Sequence, residues 1–269
     1  MSSDVSKSRP FDGLWAIILG GSGGFGFASV EKLAAHGMNV AVLYRETSVS
    51  EKALLVKFSK IASDKGIAIL PFNTNALTTE GRESFLQTFM NQKGVAKHSV
   101  KLLLHSIARG NLKPLAGDDV LTAEDIQFTG YAMSNSLLDW ARDILEAELF
   151  HTDARVIGLT SEGAHKHWEG YAAVSIAKAS LESLAKYMAV EFAPFGLKTN
   201  LIQAGITETQ SLKMIPGSEQ LIDIGKKRNP MGRITRPQDV ANVIYLLCTD
   251  EAFWVNGALI HVDGGEHCR

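Results

Sequence analysis

The chain has 269 residues, 45% hydrophobic and 21% charged, with a formal net charge of −2. That balance describes a folded chain with a sizeable buried core, not a disordered one. The near-neutral charge argues against a nucleic-acid surface, which needs an excess of Lys and Arg. No apolar run approaches the ~20 residues that cross a bilayer, so no membrane partner is expected. The opening MSSDVSKSRP lacks an apolar signal core and reads as a disordered lead-in over residues 1–10. Cys248 sits in an apolar helical stretch and Cys268 is penultimate. A disulfide is therefore not expected, and a reducing, cytoplasmic setting is.

From residue 11 to 269, short apolar runs alternate with longer amphipathic ones. Residues 15–19 predict a first strand, and a helix over 24–36 ends at Gly37. Residues 39–43 predict the second strand, with a helix over 50–64 behind it. After Gly66, residues 67–71 predict the third strand and 79–91 its helix. Residues 100–104 predict the fourth, followed by one long helix over 122–149. The fifth strand falls at 155–160, and its helix over 171–192 stops at Pro194 and Gly196. Strands at 198–202 and 259–262 complete the set, with a helix over 237–248 between them. Residues 205–230 are polar, punctuated by Gly and Pro, and too long for a plain connection; they are expected to form a substrate-covering loop. This alternation implies right-handed βαβ units. The expected fold class is α/β: a Rossmann-like doubly wound parallel sheet of about seven strands, in a single domain.

AIILGGSGGFGFAS places Gly20, Gly24 and Gly26 directly after the first strand, where a helix opens. Glycine is needed where the backbone must turn sharply and approach a pyrophosphate, while the helix N-terminus offers unpaired N–H groups. A merely flexible loop would show the same letters, but the strand before and the helix after favour a dinucleotide site. The spacing Gly20-x3-Gly24-x-Gly26 resembles that of the short-chain dehydrogenase/reductase family, although Leu19 stands where that family usually has threonine. Arg45 and Glu46 follow the second strand, where the adenosine ribose is read. An arginine pairs with a 2′-phosphate and an acid accepts from a free 2′-hydroxyl. Arg45 thus favours NADPH, the expected cofactor, and Glu46 speaks for NADH.

GYAAVSIAKAS sets Tyr171 seven residues before Lys178, and Val174 holds the position four before the lysine. On a helix, seven residues span ~10.5 Å and four span ~6 Å, with both spacings near one face. A ketone takes hydride on the carbon that bears its oxygen, so its proton donor must stand beside the hydride. A 2-enoyl thioester takes hydride at C3, while negative charge gathers on the thioester oxygen. The outlying phenol suits that oxygen. Lys178 would orient the ribose and favour the charged intermediate. The register suits conjugate reduction.

Tyr171-x6-Lys178 runs on into Ala179, Ser180, Leu181 and Glu182, and His105-Ser106-Ile107 lies within LLLHSIARGNLKPL. Together these resemble the enoyl-acyl carrier protein reductases of bacterial type II fatty-acid synthesis. KTNLIQAGITET, RPQDVANVIYLLCTDE and GALIHVDGG extend the resemblance almost to the C-terminus. It implies reduction of an acyl thioester carried on acyl carrier protein, by a homotetramer assembled through helices at 122–149 and 171–192. It implies Tyr171 as the acid that stabilises the enolate and Lys178 as the ribose ligand. Gly20, Ser22, Gly24, Phe25 and Gly26 would line the pyrophosphate and adenosine, with Asn75 and Ala76 at the adenine edge. Ser106 and Ile107 would lie beside the cofactor and Gly110 at the substrate mouth. Gly205, Thr207 and Thr209 would contact nicotinamide and phosphates.

Three departures stand out. The glycine turn looks like that of ordinary short-chain reductases and matches a smaller subgroup of enoyl reductases. Ile206 replaces a common proline, and Ser161 stands ten residues before Tyr171, where many members carry an aromatic residue. Ser161 either donates to the substrate carbonyl, as in carbonyl reductases, or caps the end of the fifth strand. His105 is expected to be a satisfied buried histidine. His165, His167 and Trp168 are expected to form a pocket-edge loop and no metal site, since no third ligand has matching spacing. The alternatives to enoyl reduction are a short-chain reductase acting on another conjugated or carbonyl substrate, and a non-catalytic NADP-binding sensor.

Overall fold

The computed structural model describes residues 9–215 and 217–269. Seven strands, β1 (Trp15–Leu19), β2 (Asn39–Tyr44), β3 (Ile69–Asn73), β4 (Val100–His105), β5 (Phe150–Ser161), β6 (Leu197–Ala204) and β7 (Leu259–Val262), form one sheet. Their order is β3-β2-β1-β4-β5-β6-β7, and every pairing is parallel. The helices between them are α1 (Gly24–Ala34), α2 (Ser48–Lys65), α3 (Thr79–Met90), α4 (Ala123–Gly130), α5 (Ser136–Glu146), α6 (Ala172–Glu191), α7 (Gln210–Lys213), α8 (Ser218–Arg228) and α9 (Pro237–Cys248). Among the described residues, no helix is long and apolar enough to cross a membrane.

The sequence of β1 explains the layering. Trp15, Ile17 and Leu19 pack with Phe85, Trp140 and Leu181 on one face of the sheet. Ala16 and Ile18 pack with Val30, Leu33 and Ile244 on the other. Side chains alternate along a strand, so a run that is apolar in both phases belongs in a sheet covered on both sides. Each fully buried Phe or Leu contributes about 2–3 kcal/mol through the water-exposed area it loses. The chain winds outward from β1 to β3, then crosses back to place β4 against β1. In such sheets the crevice at the carboxyl ends of the two central strands is where ligands bind.

Several local features differ from the sequence reading, among them β5, which starts at Phe150 and not at 155. The helix expected over 122–149 is interrupted by a π turn at Tyr131–Asn135. Side chains hold this widening in place. Ser136 Oγ donates to the carbonyl of Ala132 at 3.2 Å. Tyr131 donates to Asp139 at 2.8 Å and accepts from Arg82 at 2.9 Å. Strand β3 starts at Ile69, two residues late, because Gly66 closes α2 in the left-handed region (φ 60°). Ile67 then donates back to the carbonyl of Ala62 at 3.2 Å. Residues 205–230 carry α7 and α8 in place of an irregular loop. The expected lead-in lies outside the described residues as far as residue 8; Arg9 pairs with Asp12 at 3.0 Å and donates to the carbonyl of Gly66.

Candidate active site

The turn between β1 and α1 accepts only glycine at two points. A Cβ on Gly20 (φ 85°) would lie 2.6 Å from the Ser106 carbonyl oxygen, and one on Gly26 would lie 2.2 Å from that of Gly20. Ser106 is itself held to the end of β1, its amide donating to Leu19 at 2.8 Å. Helix α1 begins after Gly23 without any side-chain cap, and the space beside Gly23 is open. The first N–H groups of a helix have no internal partner, so an uncapped N-terminus with room before it fits a pyrophosphate. Thr209, from the segment after β6, reaches this turn with its methyl 3.5 Å from the Cβ position of Gly24. The chain therefore brings Gly20, Ser22, Gly24, Phe25, Gly26, Ser106, Ile107 and Thr209 to one place.

Tyr171 is the residue just before α6, and Lys178 lies two turns along it. Both are anchored to β5. Lys178 is buried and donates to the carbonyl of Leu159 at 2.7 Å. Burial disfavours its charge and pushes its pKa down to about 8. The phenol of Tyr171 donates to Ser161 Oγ at 3.4 Å. Burial raises the phenol's pKa, with the Ser161 bond acting the other way, so the group is a protonated donor at neutral pH. Leu159 and Ser161 are two residues apart, roughly 6.6 Å along a strand. The strand thus fixes the amine deep in the site and the phenol farther out, at its C-terminal end. Beside the phenol a cavity of about 300 Å³ opens, lined by Pro114, Leu115, Trp168 and Tyr171, with Lys113 and Lys166 also on its wall.

A family model described as Enoyl-(Acyl carrier protein) reductase matches residues 20–267. The chain belongs to that family. It is an oxidoreductase of the short-chain dehydrogenase/reductase class, whose members use a nicotinamide dinucleotide. It is 30% identical to the enoyl-[acyl-carrier-protein] reductase [NADH] of Aquifex aeolicus over 173 residues, which is 63% of each chain, a little under two thirds. A solved structure of the A. aeolicus enzyme superposes with a TM-score of 0.80 at 26% identity, covering 96% of this chain and 98% of that one. A tropinone reductase homologue of Arabidopsis thaliana is 24% identical over 256 residues, 94% of this chain and 89% of that one.

The other residues singled out in this enoyl reductase family member have separate local surroundings. Arg45 is exposed just past β2, and the amide of Asn73 clamps the backbone of Glu46 with bonds of 3.1 and 3.0 Å. Asn75 and Ala76 follow the neighbouring β3; the Ala76 carbonyl accepts from Trp140 at 2.8 Å. Gly110 packs against Thr129, Met133 and Val174, where a Cβ would lie 2.6 Å from the Thr129 methyl. Thr207 is buried and donates to the carbonyl of Gly205 at 2.9 Å. Ser161 accepts from the Gly163 amide at 3.2 Å, which caps the end of β5, and its Oγ also faces the phenol. His105 is buried but only half satisfied. Its Nε2 pairs with Ser136 at 2.9 Å, while Nδ1 has no partner among the described residues. Burial, then the charge of Lys178, push its pKa down to about 3, so it is neutral. Lys166, His167 and Trp168 line the cavity beside Tyr171. Among the described residues, no group of three or more His, Cys, Asp or Glu is placed to hold a metal.

Sequence reasoning missed Gly163. A Cβ there would lie 2.5 Å from the Tyr171 ring, so this glycine makes room for the phenol. Its only local signal is a small residue in the turn that follows Ser161.

Proposed function

We propose that the protein reduces the 2,3 double bond of an enoyl thioester carried on acyl carrier protein, with NADPH as donor, in fatty-acid biosynthesis. The observation that carries this reading is the stepped anchoring of Lys178 at Leu159 and Tyr171 at Ser161. The nicotinamide, when bound, supplies the hydride. Gly20, Gly24 and Gly26 let the backbone approach the pyrophosphate, and the start of α1 faces it. Among the described residues Lys178 has one protein acceptor, the carbonyl of Leu159, and protons to spare, so it orients the ribose and favours negative charge nearby. Tyr171 stands farther out, where the thioester oxygen gathers charge, and its phenol donates a hydrogen bond and then a proton to that oxygen. Ser161 holds the phenol in line. The segment over 205–230 covers the substrate, with Thr207 and Thr209 beside the cofactor. Gly110 lines the substrate mouth through the helices it packs against. The working assembly is a cytoplasmic homotetramer of single-domain subunits.

NADPH is preferred over NADH on the ground of Arg45, whose exposed guanidinium is free to meet a 2′-phosphate bidentately. The A. aeolicus relative is an NADH enzyme by name, so this preference needs its own test. Arg45→Ala should erase it; unchanged discrimination would remove the ground for it.

Ser161 touching the phenol, together with the tropinone reductase homologue, supports a second reading: reduction of a ketone with Ser161 and Tyr171 sharing the carbonyl oxygen. A substrate panel separates the two. With reduced cofactor present, a crotonyl or longer 2-enoyl thioester should drive its oxidation and simple ketones should not. Ketone turnover without enoyl turnover hands the case to the second reading.

A further inference from the structure

The two ends of the segment after β6 meet at one carboxylate. At its start, the amide of Ile206 donates to Glu266 Oε2 at 3.2 Å. At its far end Arg228, the last residue of α8, donates from Nη2 to Glu266 Oε1 at 2.7 Å. Glu266 is 1% exposed. The same Nη2 also pairs with Glu162 Oε2, and Lys166 takes the other oxygen of Glu162 at 2.6 Å. Glu162 directly follows Ser161 and opens the short 3-10 turn that carries Gly163 against the Tyr171 ring. A chain of charged contacts therefore runs from the covering segment, through one guanidinium, to the wall that holds the phenol.

The side chains of Arg228, Glu162 and Glu266 are mostly buried, at 18%, 13% and 2% exposure. Solvent screens such pairs far less than surface ones. With the guanidinium removed, two carboxylates held within reach of a single atom would face each other without a cation between them. The Nε of Arg228 is buried without a partner among the described residues. The two acids, not the saturation of every donor, set where this side chain lies.

We propose that Arg228 is a positioning residue that couples the seating of the α7–α8 segment to the placement of Ser161 and Tyr171, through Glu162. Glu266 is the common anchor of both ends. The inference rests on the reading above that Tyr171 carries the chemistry and that this segment covers the substrate.

The test compares wild type, Arg228→Met, Arg228→Lys and Glu162→Gln by amide hydrogen exchange with reduced cofactor bound, and by turnover. Arg228→Met should raise exchange at two separated places, residues 162–170 and 206–213, by about tenfold, since a segment opens more readily once its ties to the rest of the fold are cut. It should lower kcat by about tenfold or more, because small misplacements at a reacting centre are costly. Arg228→Lys should recover part of both effects. Glu162→Gln, the milder change, should reproduce the kcat loss with faster exchange at 162–170, and a double variant that combines Arg228→Met with Glu162→Gln should lose no more than the worse single one. Faster exchange confined to 218–230, or additive losses in the double variant, would overturn the coupling. The exchange readout needs no thioester. If wild type fails to reduce enoyl thioesters, the proposed function falls, while the exchange pattern still decides the role of Arg228.

Discussion

A methyl group at position 163 would sit 2.5 Å from Cε1 of Tyr171, inside any real carbon–carbon contact, so Gly163→Ala has to push the phenol away from Ser161. The turn itself tolerates alanine, since Gly163 does not have a positive φ. Gly163→Ala should therefore cut kcat by about tenfold or more while the melting temperature hardly moves. Steady-state kinetics beside a thermal melt checks this; a large stability loss with proportionate activity would place the strain elsewhere. Lys178 sets a pH dependence. Its burial lowers its pKa to about 8, so the cation is present below that value and is lost as pH rises through it. Turnover should decline above about pH 8, and the decline should be missing, at a lower plateau, in Lys178→Met. A limb that survives in that variant belongs to another group.

At the scale of elements, the end of the sheet opposite the candidate active site depends on one carboxylate. Asp153 accepts from Lys101 and Lys198 at 2.7 Å each, and from Arg155 Nη2 at 3.1 Å. Arg155 continues to the carbonyl of Leu247 at 2.6 Å, tying β5 to the end of α9. Burial raises the pKa of Asp153, but hydrogen bonds from Arg155, Lys101 and Lys198 outweigh it and hold the carboxyl well below the usual range. A depressed carboxylate contributes stability that is present above its unfolded pKa of about 3.9 and fades as pH falls below it. Asp153→Asn, which leaves three cations without their counter-ion, should cost about 3 kcal/mol at neutral pH. It should also flatten stability between about pH 5 and pH 2 in denaturant titrations. An unchanged acid limb would mean that another carboxylate governs it.

The strands and the outer helices were legible because their signals are local. β1 is apolar in both phases, Gly37 and Gly66 end helices, and Gly20, Gly24 and Gly26 follow a strand. The Tyr171 and Lys178 pair was legible for the same reason, as a spacing on one helix. The π turn at Tyr131–Asn135 was not, since Arg82, Tyr131, Asp139 and Ser136 hold it through contacts that periodicity does not encode. Nor was the meeting of Glu162, Arg228 and Glu266. These residues come from three separate parts of the chain, and only the folded sheet brings them to one point.

For the whole molecule, the proposed function makes the crevice between β1 and β4, the glycine turn, the stepped Lys178 and Tyr171, and the segment that brings Thr209 to the turn one path for hydride and proton. That path predicts where each hydrogen ends up. Under the proposed function the phenol meets the oxygen of a conjugated thioester, so hydride should arrive at C3, two carbons beyond the carbonyl carbon. The most direct test uses reduced cofactor carrying deuterium at the transferred position, with a crotonyl thioester as acceptor. Mass spectrometry and NMR of the product should find deuterium on C3 of a butyryl thioester, with the C2 hydrogen drawn from water. Tyr171→Phe should slow its appearance by about a hundredfold. A saturated product without label at C3, or label found only on the carbinol carbon of a ketone substrate, would contradict the account.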